Sequence, residues 1–286
     1  MIKQTFEFDD ELRVNRLGYG TMQLPGHGVW GPSADEANAV AVAKRVLDSE
    51  VNFIDTADAY GPFYANLYLK EALRDYQGPH KMIASKVGFT RQGPDVWTVV
   101  GDPNYLRQQV ELNLWSLGLD SIDLMQLHRV DPRFSIEEQV GVLADMQKEG
   151  KIKHIGLSQV SVEEIKRAQA IAKIDSVQNR YNLIDRRDEA VLDYAESQHM
   201  AFIPWFPLAT GKLASDQNSI LNQIAQNHLA TPSQIALAWL LQRSEVILPI
   251  PGTSNIKHFE SNIQAAYITL APNEFEALNQ LAGKVN

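Results

Sequence analysis

The sequence predicts an α/β protein: a single (β/α)8 TIM barrel with an N-terminal β-hairpin and a C-terminal extra helix. Three observations carry this prediction. Short apolar runs alternate with helical patterns along the chain, the mark of a parallel sheet covered by helices. Eight such strand-like runs fit into 286 residues, a length that suits one large domain, so residues 1–286 are read as one domain. The third is the stretch from Val51 to Gly61, where an apolar run ends in Asp55, Asp58 and Tyr60. A buried strand that ends in an acid, with a tyrosine in the loop beyond it, suits the rim where barrels place their chemistry.

The elements follow in order. Thr5 to Phe8 and Leu12 to Val14 flank Asp9-Asp10-Glu11 and predict a hairpin. Leu17 to Met22 is a short strand opening into a loop that carries Pro25, Gly26, His27, Gly28, Trp30 and Gly31. Ser33 is the expected N-cap of a helix from Ala34 to Ser49, with Glu36 as the capping acid. Strands are then expected at Phe53–Asp55, Met82–Lys86, Ile122–His128, His154–Ser158, Ser176–Asn179, Ala201–Trp205 and Val246–Ile250. Helices are expected at Tyr64–Arg74, Asn104–Leu117, Ile136–Glu149, Val162–Ile171, Arg187–Ser197, Ser219–His228, Ser233–Gln242, Ile256–Ala265 and Asn273–Leu281. Pro103, Ser135 and Ser161 open three of them. An open doubly wound sheet is the competing fold. It would carry a third glycine after Gly18 and Gly20, where Gln23 stands, and a helix would start there.

Composition narrows the function classes. A net charge of −9 with no basic run argues against nucleic acid and anionic membranes as partners. Cysteine is absent, which removes disulfides and thiolate metal sites. The start has no apolar signal core and no run approaches a membrane span, so the expected location is the cytoplasm. The histidines apart from His128 show no metal-ligand spacing, and no metal is expected.

Strand ends collect the polar candidates: Gly20-Thr21-Met22, Asp55 with Tyr60, Lys86, His128, Ser158-Gln159, Gln178-Asn179 and Trp205-Phe206. Four of these make chemical sense together. Tyrosine is a weak acid, with an ordinary pKa of about 10. A lysine ammonium beside it favours the phenolate, an acid beside the lysine keeps that charge in place, and a histidine can donate to a substrate oxygen. Together Asp55, Tyr60, Lys86 and His128 would form a tuned general acid for a carbonyl oxygen that gains charge. Plainer roles are open to each: a cap for Asp55, a rim aromatic for Tyr60, a solvated charge for Lys86, a core histidine for His128.

On these residues the chain resembles the aldo-keto reductase superfamily over nearly its whole length. Asp55-Thr56-Ala57-Asp58-Ala59-Tyr60-Gly61 is similar to that family's signature, Ala84-Ser85-Lys86 to its lysine strand, and Asp123 to His128 to its histidine strand. Gly150 to Ser158 and Gln178 to Asn182 match as well. The resemblance implies a catalytic tetrad of Asp55, Tyr60, Lys86 and His128, with Tyr60 as proton donor. It also implies NADP(H) lying extended across the rim beside Gly20, Thr21, Met22 and Asp55. Ser158, Gln159 and Gln178 would hold the nicotinamide carboxamide, and Trp205 would stack on the ring. Gln159 stands where asparagine is usual, and Trp205 where tyrosine is commoner. Phe206, Leu208, Gly211 and Lys212 would line the pyrophosphate loop. Gly252, Thr253 and Ser254 would meet the adenosine phosphate at a helix N-terminus, near Lys257, His258 and Asn262. Trp30, Phe63, Phe89, His128, Arg129 and Trp205 are the substrate candidates, an aromatic set suited to a flat or apolar carbonyl compound.

The expected function is NADPH-dependent reduction of a small aldehyde or ketone. Pyridoxal, reduced to pyridoxine, is the first substrate, because the chain resembles the bacterial pyridoxal reductases of that superfamily. A broad aldehyde and ketone reductase, a non-catalytic NADPH-binding redox sensor, and Schiff-base chemistry on Lys86 remain open. No interface is forced by the sequence, and a monomer is favoured.

Overall fold

The computed structural model describes residues 4–208 and 220–282. An antiparallel hairpin comes first, β1 (Thr5–Glu7) with β2 (Arg13–Asn15). The main sheet is parallel and seven-stranded. It is built from β3 (Tyr19–Gly20), β4 (Phe53–Asp55), β5 (Met82–Val87), β8 (Ile122–Leu127), β9 (Ile152–Ser158), β10 (Ser176–Gln178) and β11 (Ala201–Phe202). Its spatial order follows the chain, with β3 and β11 at the two edges. Apolar side chains on both faces are buried, as a sheet between a barrel interior and an outer ring of helices requires.

The helices are α1 (Glu36–Leu47), α2 (Tyr64–Leu73), α3 (Pro103–Leu117), α4 (Ile136–Lys148), α5 (Val162–Gln169), α6 (Glu189–Ser197), α7 (Ile220–Asn227), α8 (Pro232–Arg243), α9 (Ile256–Ile263) and α10 (Pro272–Asn279). Local chemistry starts several of them. Ser135 and Ser161 form capping boxes with Glu138 and Glu164, and Pro103 opens α3 behind the Asp102 cap. Helix α1 departs from expectation. Its cap is Asp35, which accepts from the Asn38 amide at 2.9 Å, while Ser33, two residues earlier, accepts from the Asp35 amide.

Two further departures matter for the site. The expected eighth strand, Val246–Ile250, is not a strand. Backbone bonds still tie it to both sheet edges: the Phe202 and Leu248 amides donate to Val246 and Phe202, each at 2.8 Å, and the Gly18 amide donates to Pro249 at 2.9 Å. Isolated bridges pair Phe202 with Ile247 and Gly20 with Gly252. Pro249 and Pro251 lack an N–H, so a continuous ladder cannot form here. The result is a curled, barrel-like sheet whose last position is held by bridges. The second departure is an unforeseen hairpin after β5, made of β6 (Phe89–Gly93) and β7 (Val96–Val99). It stands on the rim at the carboxyl ends of the strands. The opposite end is covered by the β1–β2 hairpin, where Phe8 packs on Phe53 and His154 at 6.3 and 5.6 Å between ring centres.

Candidate active site

The register of the parallel strands builds the site. Asp55 lies beside Ala84, Lys86 beside Gln126, Gln126 beside Gly156, and Ser158 beside Gln178. Lys86 and Asp55 are 0% and 1% exposed in their side chains, and the Lys86 Nζ donates to Asp55 Oδ1 at 2.5 Å. The same ammonium donates to the Thr56 carbonyl at 2.8 Å and to the Tyr60 hydroxyl oxygen at 3.2 Å, so all three of its N–H bonds are placed. Asp55 Oδ2 accepts from Gln126 Nε2 at 3.1 Å and from Gln178 Nε2 at 2.9 Å. Gln126 was not foreseen. Gly156 makes room for it, since a Cβ at that position would lie 2.8 Å from Gln126 Cγ.

Charge states follow from this geometry. Burial opposes the Lys86 charge, but Asp55 and Tyr60 outweigh it and hold its pKa above the ordinary lysine value. Burial raises the Tyr60 pKa, and the Lys86 ammonium lowers it by less. The net direction is upward, against the expectation that the lysine would favour the phenolate. Tyr60 is therefore a phenol that already accepts a bond from Lys86 and keeps its own hydrogen to donate. Burial and the cations Lys86, Arg129 and Arg91 drive the His128 pKa well below its ordinary value, so the imidazole is neutral. Asp58, in the turn between Asp55 and Tyr60, has its carboxyl held well above the usual carboxylate range by burial, against weaker effects of the Ala59 backbone amide and Lys86.

Tyr60 and His128 face a cavity of about 320 Å³, with Phe89, Trp97 and Arg129 on one side. Met22, Ser158, Gln178 and Trp205 line the other. The His128 ring sits among Phe89, Tyr60 and Trp97 at 4.7, 6.0 and 6.4 Å between centres, all edge to face. Trp30 and Phe63, expected in the pocket, do not line it. Phe63 is the left-handed residue just before α2. Trp30 is bridged to Gly61 and lies 5.9 Å from the Arg91 guanidinium.

Trp97 and Arg91 come from the unforeseen hairpin. Arg91 donates to the carbonyls of Gly28, Val29, Ala59, Gly93 and Val96 and stacks on Trp97 at 3.6 Å. It thereby joins the loop of residues 26–31, the Tyr60 turn and the hairpin into one wall. Arg91→Met should take a shared donor away from these carbonyls, although Gly28, Val29 and Ala59 keep a backbone amide, and cost about 2–4 kcal/mol. Urea unfolding checks this, and a loss below about 0.5 kcal/mol would refute it.

The residues expected to hold a cofactor are placed differently from one another. Ser158 and Gln178 are in place: Ser158 Oγ donates to the Gln178 carbonyl at 2.9 Å, and both line the cavity beside Trp205. Gln159 is not directed at the cavity. Its Oε1 accepts from Trp205 Nε1 at 3.0 Å and its Nε2 donates to Asp188 at 3.2 Å. The two departures from the family pattern are thus partners, the longer amide fixing the larger ring. The Thr21 hydroxyl donates to Thr56 and is spent in a buried chain running through Asn66 to Asn113 and Ser116. Gly20 is bridged to Gly252, and a Cβ at Gly20 would lie 2.8 Å from the Ile250 carbonyl.

Phe206 packs edge-on against Trp205 at 6.0 Å, and Leu208 is half-buried against the core. Gly211 and Lys212 lie outside the described residues. Thr253 and Ser254 precede α9, whose first amides at Lys257 and His258 are taken by the Asn255 side chain. Lys257 and His258 are exposed, and Asn262 is buried. A planar indole, a serine and an amide beside the Tyr60 hydroxyl suit a nicotinamide ring in this cavity. The exposed Lys257 at the positive end of the α9 dipole suits a phosphate at the far end.

A model of the Aldo/keto reductase family matches residues 16–282. The chain is 45% identical to an uncharacterized oxidoreductase of Schizosaccharomyces pombe, over 94% of this chain and 87% of the relative. It is 42% identical to a pyridoxine 4-dehydrogenase of Escherichia coli (strain K12), over 94% of this chain and 95% of the relative. Among solved structures, an aldo/keto reductase from Klebsiella pneumoniae in complex with NADP and acetate is 25% identical, with a TM-score of 0.82 over 99% of this chain and 96% of that one.

Proposed function

The chain belongs to the aldo/keto reductase family and is an NADP(H)-dependent oxidoreductase, and from that premise we propose that it reduces pyridoxal to pyridoxine, using Asp55, Tyr60, Lys86 and His128 as its catalytic groups. One observation carries the catalytic part. The Tyr60 hydroxyl accepts from a buried, paired ammonium and opens with His128 onto one cavity at the strand ends. Support for pyridoxal comes from the flat aromatic walls of Phe89, Trp97 and Trp205 and from the 42% identical relative named for pyridoxine.

Bound NADPH supplies the hydride. This chain's residues do the rest. Tyr60 gives its proton to the carbonyl oxygen as negative charge develops there, and Lys86, charged throughout, stabilises the phenolate left behind. Neutral His128 donates a second hydrogen bond to that oxygen from one ring nitrogen. Asp55, held by Gln126 and Gln178, keeps Lys86 in line. Phe89, Trp97 and Trp205 exclude water and fix the plane of the substrate.

The reading is tested by NADPH consumption, followed by absorbance, over a panel of aldehydes and ketones that includes pyridoxal. A kcat/KM for pyridoxal at least about tenfold above that for benzaldehyde is expected. Equal, weak rates across the panel would leave a broad reductase in its place. NADPH binding without turnover would favour a non-catalytic sensor. A Schiff base at Lys86 is disfavoured by its engaged, charged ammonium.

A further inference from the structure

The cations around the rim are not equivalent. Lys86 is paired with Asp55 and has all three donors placed. Arg180 is paired with Asp185 at 3.0 Å. Arg91 carries no carboxylate, but its donors are spread over five backbone carbonyls. Arg129 is different. Among the described residues only its NH1 is engaged, donating to the His128 carbonyl at 2.6 Å and to Ser158 Oγ at 3.0 Å. Among the described residues no carboxylate pairs with it, and its guanidinium is flanked by the Phe89 and Trp205 rings at 5.7 and 5.8 Å. Arg129 itself lines the cavity that Tyr60 and His128 share.

A partly buried guanidinium with no counter-charge is costly in a mostly aromatic pocket, and an anion that arrives with the substrate offsets that cost. The planar fork also favours an acceptor with two oxygens or a fixed ring oxygen over a diffuse dipole. We infer that Arg129 is an anion-recognition point for the substrate, selecting carbonyl compounds that carry an ionised oxygen close to the reacting carbon: a ring oxyanion beside an aldehyde, or a carboxylate. The inference rests on the reductase reading for its substrate class and narrows it. Pyridoxal meets the description when the ring hydroxyl next to its aldehyde is ionised. Neutral aldehydes of the same shape do not.

The test uses two readouts, so that the two readings can fail separately. The first is calorimetric binding of benzoate and benzamide to the NADP-bound protein, in the natural chain, R129M and R129K. The second is kcat/KM for ortho-, meta- and para-formylbenzoate against benzaldehyde, with NADPH, in the same proteins. Benzoate should bind about ten- to a hundredfold more tightly than benzamide, and at least one formylbenzoate should exceed benzaldehyde by a similar factor. R129M should collapse both ratios at least about tenfold. R129K, which keeps the charge and loses the fork, should retain part of each. Turnover of benzaldehyde with neither ratio above about two overturns the Arg129 inference and leaves the reductase intact. A benzoate preference that R129M abolishes, without turnover of any aldehyde, keeps the anion site and sinks the reductase. Ratios unchanged in R129M, with weaker NADPH binding, would assign Arg129 to the cofactor and overturn the inference.

Discussion

Tyr60→Phe should lower the reductive kcat by about 10²- to 10⁴-fold while leaving NADPH affinity within about threefold. The phenyl ring keeps the edge-to-face contacts with Trp97 and His128, at 6.5 and 6.0 Å, so the cavity wall is preserved. What disappears is the hydroxyl that accepts from Lys86 and opens on the cavity. Steady-state rates and NADPH fluorescence titration check the two halves of the statement, and a variant with near-normal turnover would remove Tyr60 as the donor. The same geometry sets the pH profile. Burial places the Tyr60 pKa above its ordinary value of 10.0. Reduction needs the protonated phenol, and a raised pKa means the proton is held to higher pH. The rate should therefore stay flat from neutrality to about pH 9 and fall only above about pH 10. A fall centred near pH 7 to 8 would mean that Lys86, not burial, dominates the tyrosine in the working complex.

The sequence was most readable where a strand delivers the group. In a parallel barrel every strand end reaches the same rim, so Asp55, Lys86, His128 and Gln178 could be assembled from separate runs up to 123 residues apart. Capping was readable for the same local reason at Ser135 and Ser161, whose partner glutamates stand three residues on. It failed at Ser33, because Asp35 offers an equally good acceptor two residues later and α1 starts from there. The eighth strand was misread because apolar periodicity counts side chains, while Pro249 and Pro251 act through the backbone.

The hairpin of β6 and β7 was missed for the opposite reason. Its strands are polar on one face, and its signal was the turn: Pro94, followed by Asp95 in a left-handed conformation with φ of 56°. With it went Trp97, which lines the pocket, and Arg91, which stacks on it and ties the hairpin to the Tyr60 turn. Gln126 was hidden inside an apolar strand, since nothing in a run of that kind says which inward side chain meets Asp55. Thr21 was assigned by its place at a strand end, which does not say to which side a hydroxyl turns.

Lys86→Met separates catalysis from architecture. Removing the ammonium leaves the Asp55 carboxylate 1% exposed with only two glutamine amides for partners, and breaking a buried pair in this way costs about 3–5 kcal/mol. It also removes the one nearby charge that lowers the Tyr60 pKa most, so kcat should fall about 10²-fold or more, and thermal stability should fall with it. Loss of activity alone could then be blamed on a damaged fold. The double variant D55N/K86M resolves this. An asparagine oxygen can still accept from Gln126 and Gln178, its amide can face the methionine, and no unpaired charge is left in the barrel. Its stability should recover most of what K86M loses, while its kcat stays down, because nothing stabilises the phenolate that proton donation leaves at Tyr60. Recovery of turnover along with stability would show that the ion pair only holds the strands together, and the proton-donor role would then have to be carried without Lys86.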